Sequence, residues 1–148
     1  MPEGRALGLD LGDVRIGVAI SDDDRRLALP FGTVNAGAPH DLKAIAAIVT
    51  ENDVTQIVVG LPLSLSGERG PAAHKSERFA AALGSALSVP VALHDERLST
   101  AEADRALAAA GKKGRDRRQT IDATAATVIL QSYLDSRPRE GGSSPGGP

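Results

Sequence analysis

A chain of 148 residues, 41% of them hydrophobic, is one domain's worth and long enough to bury a real core. Only 2% are aromatic, so that core is aliphatic and alanine-rich, and the absence of cysteine excludes a disulfide framework, a thiol nucleophile and a cysteine-ligated zinc site. A net charge of −2 excludes a global field that would draw in nucleic acid, so such a partner needs a local basic patch; with no apolar run of membrane-span length and no signal-peptide layout in MPEGRALGLD, the expected location is the cytoplasm, with no membrane partner.

From Ala6 to Val34 the runs ALGL, RIGVAIS and LALPFGTV, separated by GDV and by the charged turn DDDRR, predict a three-stranded antiparallel meander. HDLKAIAAIVTEN then carries Leu42, Ile45, Ala46 and Val49 at helical spacing, and TQIVVGLP is a compact apolar strand of the buried kind. After the loop LPLSLSGERGP a helix is expected from about Ala72 to Leu87, with Phe79, Leu83, Ala86 and Leu87 on one face; Pro90 introduces the strand VALHDE. Ser99 and Glu102 have the spacing of a capping box, which predicts a short helix ending at Gly111. The basic stretch KKGRDRR leads into a final helix, TIDATAATVILQSYLD, whose Val128, Ile129, Leu130 and Leu134 occupy more than one face and call for burial. SRPREGGSSPGGP has no apolar periodicity, so the expected organisation is one domain over residues 1–135 and a disordered tail over 136–148.

Three antiparallel strands followed by helix-strand-helix-strand imply an α/β fold: a mixed five-stranded sheet, the last two strands parallel to the first, with helices on both faces. The C-terminal ends of the parallel strands then share one edge, where α/β proteins bind ligands. Asp10 ends the first strand, Asp95 and Glu96 end the fifth, and Asp122 lies in the first turn of a last helix that must pack back over the sheet. Convergent carboxylates repel, and a hard divalent cation is the usual compensation; oxygen-only ligation points to Mg²⁺ or Mn²⁺, which in pairs activate water for phosphodiester cleavage. Each acid also has an ordinary explanation taken singly: Asp10 as a turn residue, Glu96 paired with Arg97 or solvent, Asp122 favoured by the helix dipole. Those explanations do not account for the shared edge. Gly8 and Gly12, on either side of Asp10, permit close approach of something bulky.

The loop GLPLSLSGERGP lies on the same edge. It is not a Walker loop, yet Ser64, Ser66, Arg69 and backbone N–H groups before a helix could meet a phosphate; the alternative is an ordinary strand-to-helix loop. Lys112, Lys113, Arg115, Arg117 and Arg118 form the densest basic cluster, and with Arg15 and Arg97 they are the candidates for contact with a nucleic-acid backbone. His94, beside Asp95 and Glu96, could tune or gate the site. His40 reads as a helix-start residue and His74 as a helix-surface residue, and with no metal-ligand spacing among the three a zinc site is not expected.

GLDLGDVRIGVAISD, VVGLPLSLSGERGP, HDERLSTAEA and IDATAATVILQSYLD, in that order, resemble the YqgF family, also called RuvX, of bacterial ribonuclease-H-like proteins described as Holliday junction resolvases and as pre-16S rRNA nucleases. The resemblance runs from Ala6 to Asp135. It implies a ribonuclease-H-like fold, metal-dependent phosphodiester cleavage with Asp10, Glu96 and Asp122 as the matching acids, and a part in maturing the 5′ end of small-subunit ribosomal RNA. In the family's loop an acidic or amide residue often precedes the glycine, where this chain has Ser66. Arg15 and the basic loop would position the backbone of the substrate. Precursor rRNA is the expected partner and branched DNA the alternative; a junction resolvase should be a symmetric homodimer, while an RNA-processing enzyme could act as a monomer. Two rivals stand outside nucleases: a non-catalytic RNA-binding module, and an actin-like ATPase, whose phosphate loop also begins with a DLG-type turn but needs two such domains.

Overall fold

The meander consists of β1 (Arg5–Leu11), β2 (Arg15–Ser21) and β3 (Ala28–Asn35). In the computed structural model, which describes residues 4–98 and 114–136 and the side chains of 4–98 and 123–136, these are followed by α1 (His40–Glu51), β4 (Val54–Leu61), α2 (Pro71–Ala86), β5 (Val91–Asp95), a 3-10 turn over Glu96–Leu98, and α3 (Gly114–Ser136). The strand order is β3-β2-β1-β4-β5, with β1 antiparallel to β2 and parallel to β4, and β4 parallel to β5. This is the mixed five-stranded sheet that the sequence predicts. The predicted helix from Ser99 to Gly111, together with Lys112, Lys113 and residues 137–148 of the tail, lies outside the described residues.

Local chemistry sets the turns. Between β2 and β3 the Asp22 carboxylate accepts from the backbone N–H groups of Arg26 at 2.8 Å and Leu27 at 3.2 Å, closing the charged turn on itself. Asp41 does the same at the start of α1, accepting from Gly37 and Leu42. Pro71 opens α2 at a position whose N–H would be unpaired in any residue.

The two faces of the sheet are packed differently. On one, Leu7, Leu9, Ile16, Val18, Ile57 and Val59 meet Ile45 and Val49 of α1 and Leu83 of α2. On the other, Ala6, Ala19, Ala28 and Val58 meet Ala126, Leu130 and Leu134 of α3. Small residues on the second face let α3 lie close to the strands: a Cβ on Gly8 would stand 2.7 Å from Leu130 Cβ and 3.2 Å from the Ala126 carbonyl oxygen. Burying Leu130 contributes about 1.5–3 kcal/mol, at least as much as a typical hydrogen bond, so the close fit contributes strongly to holding α3 on the sheet.

Three expectations are corrected. The last helix starts at Gly114 rather than Thr120, because Arg115 to Gln119 include good helix formers and no breaker; Asp122 therefore sits in its third turn, away from the N-terminal dipole, and Ser136 is its last residue rather than the start of the tail. Strand β5 ends at Asp95, and Glu96 begins the 3-10 turn. The room at Gly8 and Gly12 is taken up internally, by α3 at Gly8 and by the Arg15 carbonyl, 2.6 Å from a Cβ built on Gly12.

Candidate active site

Strand alternation places Ala6, Gly8 and Asp10 on the α3 face of β1. Asp10 is half-buried at the C-terminal end of that row, and its register partner on β2 is Gly17. On the other side the β1–β4 register pairs Leu9 with Val59, so Gly60 is the next residue of β4. Asp10 thus has a glycine on each flanking strand, so neither neighbouring strand places a side chain of its own beside it. The space above Gly60 is filled from the turn after β5 and from α3: a Cβ there would lie 2.7 Å from Glu96 Oε2 and 2.9 Å from Ile129 Cδ1. Glu96 is therefore turned onto the α3 face over β4, the strand next to Asp10.

Asp95 is turned elsewhere. It forms a forked ion pair with Arg97, 2.7 Å from Nη2 and 3.1 Å from Nε, and accepts from the Arg97 backbone N–H at 2.9 Å. The Arg97 hydrogen bonds hold the Asp95 carboxyl below the usual carboxylate range. Arg97 Nη1 also donates to the Leu65 carbonyl at 3.2 Å, so its guanidinium ties the loop between β4 and α2 to the end of β5. That loop is closed by Ser64: its carbonyl accepts from Gly67 N–H, its hydroxyl from Glu68 N–H at 3.0 Å, and its hydroxyl also meets that of Ser66 at 3.0 Å. At the tip, Leu65 is 95% exposed. Arg69 pairs with Glu77 of α2 at 2.6 Å, which holds the Glu77 carboxyl below its usual range.

Asp122 lies one helical turn before Ala126, on the α3 stripe that continues through Leu130. Its side chain, and those of Arg115, Arg117 and Arg118, lie outside the described residues, although all four positions are helical. Arg15 is half-buried at the first position of β2, beside the Gly12–Val14 turn. Among the described residues no three acidic or histidine side chains gather closely enough to hold an ion, a statement that covers Asp10 and Glu96 but not Asp122.

His94 is 6% exposed on the α3 face. Its Nε2 is 2.9 Å from Ser132 Oγ and its ring meets Tyr133 edge to face at 5.8 Å; burial pushes its pKa down, against the opposing charge of Asp95. Sequence reasoning missed Gly17, Gly60, Ser132 and Lys75. Nothing local marks what fills the space over Gly60, or Ser132. Lys75 of α2 donates to the Gly12 carbonyl at 2.8 Å and to Asp13 at 3.2 Å, pinning the turn that follows Asp10. A cleft of about 430 Å³, lined by residues such as Leu11, Ile16, Lys75 and Phe79, opens beside that turn on the opposite face.

Sheet order, a helix across one face and acids at one edge define a ribonuclease-H-like protein. A solved structure described as "T. thermophilus RuvC in complex with Holliday junction substrate" has the same fold, with a TM-score of 0.53 and 15% identity over 89% of this chain and 95% of that one. The model of the RuvX family, described as Holliday junction resolvase, matches residues 4–136, and the chain belongs to that family. Relatives named "Putative pre-16S rRNA nuclease" include one from Anaeromyxobacter dehalogenans strain 2CP-C, 50% identical over 90% of this chain and 98% of its own length. Another, from Chloroflexus aurantiacus strain J-10-fl, is 50% identical over 88% of this chain and 86% of its own. Among the described residues no helix is long and apolar enough to cross a membrane.

Proposed function

We propose that this protein is a divalent-metal-dependent endonuclease that hydrolyses nucleic-acid phosphodiesters, with Asp10, Glu96 and Asp122 as the metal-holding acids and the 5′ end of precursor 16S rRNA as substrate. The observation that carries the reading is the seat of Glu96: Gly17 and Gly60 flank Asp10, and the Glu96 carboxylate fills the space over Gly60. A donor set of carboxylate oxygens fits Mg²⁺ or Mn²⁺. Bound there, such an ion would neutralise charge on the phosphate and lower the pKa of an attacking water. The chain's own contribution is to hold the acids on one face, to bring the Glu96 carboxylate over Gly60 on the strand next to Asp10, and to hold the turn after Asp10 through Lys75. Lys112, Lys113, Arg115, Arg117 and Arg118, preceding Asp122, would meet the substrate backbone, with Arg15 at the adjoining turn. Ser64, Arg69 and Arg97 support the site by shaping the loop beside it.

The relatives' names favour RNA; the family description and the junction-bound RuvC structure favour branched DNA as the second reading. Cleavage of a 5′-extended precursor small-subunit rRNA fragment and of a four-way DNA junction, side by side with Mg²⁺, Mn²⁺ or chelator, separates them. RNA cut only with metal, and not by Asp10→Asn, supports the proposal. Junction cleavage with the same dependence moves the assignment to recombination, as a monomer or a homodimer to be settled by the same preparation's mass in solution. RNA bound but never cut would make this a binding module.

A further inference from the structure

Two of the three proposed metal-holding acids stand on different elements: Glu96 on the 3-10 turn after β5 and Asp122 on α3. Their separation depends on what fastens those elements together. A polar bridge does so. Ser132 of α3 donates its hydroxyl to the Leu98 carbonyl at 2.9 Å, and the same oxygen is 2.9 Å from His94 Nε2. A hydroxyl has one proton. With that proton on Leu98, Ser132 Oγ accepts at His94, so Nε2 carries the hydrogen and the three groups form a directed chain from β5 through α3 to the end of the Glu96–Leu98 turn.

We propose that Ser132 and His94 are positioning residues that set the distance between Glu96 and Asp122 and so tune the affinity for the divalent ion. The inference rests on the metal reading of those acids. The bridge brackets Glu96: His94 stands two residues before it and Leu98 two residues after, and both ends are fixed to one side chain of the helix that carries Asp122. His94 is braced by its edge-to-face contact with Tyr133, the next residue of α3, so the ring cannot swing away without losing packing as well. Neither residue is an acid of the site, and neither needs to touch substrate.

The test is Mn²⁺ binding to the full-length protein without nucleic acid, by calorimetry or by loss of the free-ion EPR signal, for wild type, Ser132→Ala, Ser132→Thr and His94→Gln. Ser132→Ala is expected to raise the Mn²⁺ Kd on the order of tenfold, the low end of the cost of removing a group that orients a metal ligand, since Ser132 acts on Glu96 through the backbone at Leu98. Ser132→Thr, which keeps the hydroxyl, should restore most of the affinity, and cleavage by Ser132→Ala should recover as Mn²⁺ is raised. Metal-free melting should remain cooperative in all variants. Wild-type Mn²⁺ affinity in Ser132→Ala overturns the proposal, and so does a loss that Ser132→Thr fails to reverse or that accompanies a collapsed metal-free melt. Glu96→Gln is the control for the underlying reading: if it too leaves Mn²⁺ affinity unchanged, the metal assignment of the acids fails first.

Discussion

Glu96 Oε2 occupies the place where a side chain at Gly60 would begin, 2.7 Å from the position of its Cβ. A methyl group there forces either Glu96 or Ile129, at 2.9 Å, out of position. Gly60→Ala should therefore destabilise by about 1–3 kcal/mol through overpacking. If Glu96 is the group that yields, cleavage should fall about a hundredfold, the effect of a 1 Å displacement of a reacting group. Urea midpoints and single-turnover rates on the same preparation check both; full activity would separate Glu96 from the chemistry.

Replacing the acids isosterically should remove catalysis while sparing the fold. Asp10→Asn, Glu96→Gln and Asp122→Asn are each expected to lose on the order of a thousandfold in cleavage rate, the scale of several kcal/mol of charge stabilisation. RNA affinity in chelator should stay the same or tighten, because one negative charge has gone. A binding module would instead keep all its biological function in Asp10→Asn.

Arg97 distinguishes a loop anchor from a phosphate contact. Its guanidinium fork spans the Asp95 carboxylate and the Leu65 carbonyl, a geometry that lysine cannot reproduce. If anchoring is its role, Arg97→Lys and Arg97→Ala should weaken substrate binding to the same degree, with the salt dependence of binding unchanged. A direct phosphate contact predicts the opposite: lysine retains most of the affinity, and alanine lowers the slope against log salt by about 1.

The turn between β2 and β3 should show in acid. Partial burial pushes the Asp22 carboxyl up, but the N–H groups of Arg26 and Leu27 outweigh it and hold the pKa below its ordinary 3.8. A carboxylate with a depressed folded pKa contributes stability that is fully present above the unfolded value and lost as pH falls through the folded one. Unfolding midpoints taken from about pH 5 down to about pH 3 should therefore fall less steeply in Asp22→Asn than in wild type. Parallel curves would show that the turn contributes nothing through this charge.

What the chain reveals unaided follows the range of the interaction. Strand alternation and helical spacing are local, so the five strands and which of them run parallel could be read directly, while the ends of β1 and β5 each differ by one residue, at Leu11 and Asp95. The roles of Gly8 and Gly60 were not legible, because each is defined by an atom from a distant segment, Leu130 in one case and Glu96 in the other. Arg97 reads as a nucleic-acid contact in a motif, but Asp95 two residues away is a partner only because the backbone turns at Glu96. The start of α3 was misplaced because basic residues look like a loop by charge while their helix propensity is good.

Adjacent residues of α3 grip opposite margins of the sheet: Gln131 accepts from Ala28 N–H and donates to the Arg26 carbonyl at the β3 edge, and Ser132 bonds to His94 and Leu98 at the β5 edge. The Ala28–Gln131 contact closes a loop of 103 residues. A ribosome making this chain delivers all five strands before the clasp that joins their outer margins, so the α3 packing of Ala6, Ala19, Ala28 and Val58 comes only after the whole sheet has been made. Covering of that face is thereby deferred until α3 has been made, and a chain truncated before α3 would lack both Asp122 and the residues that cover Gly8.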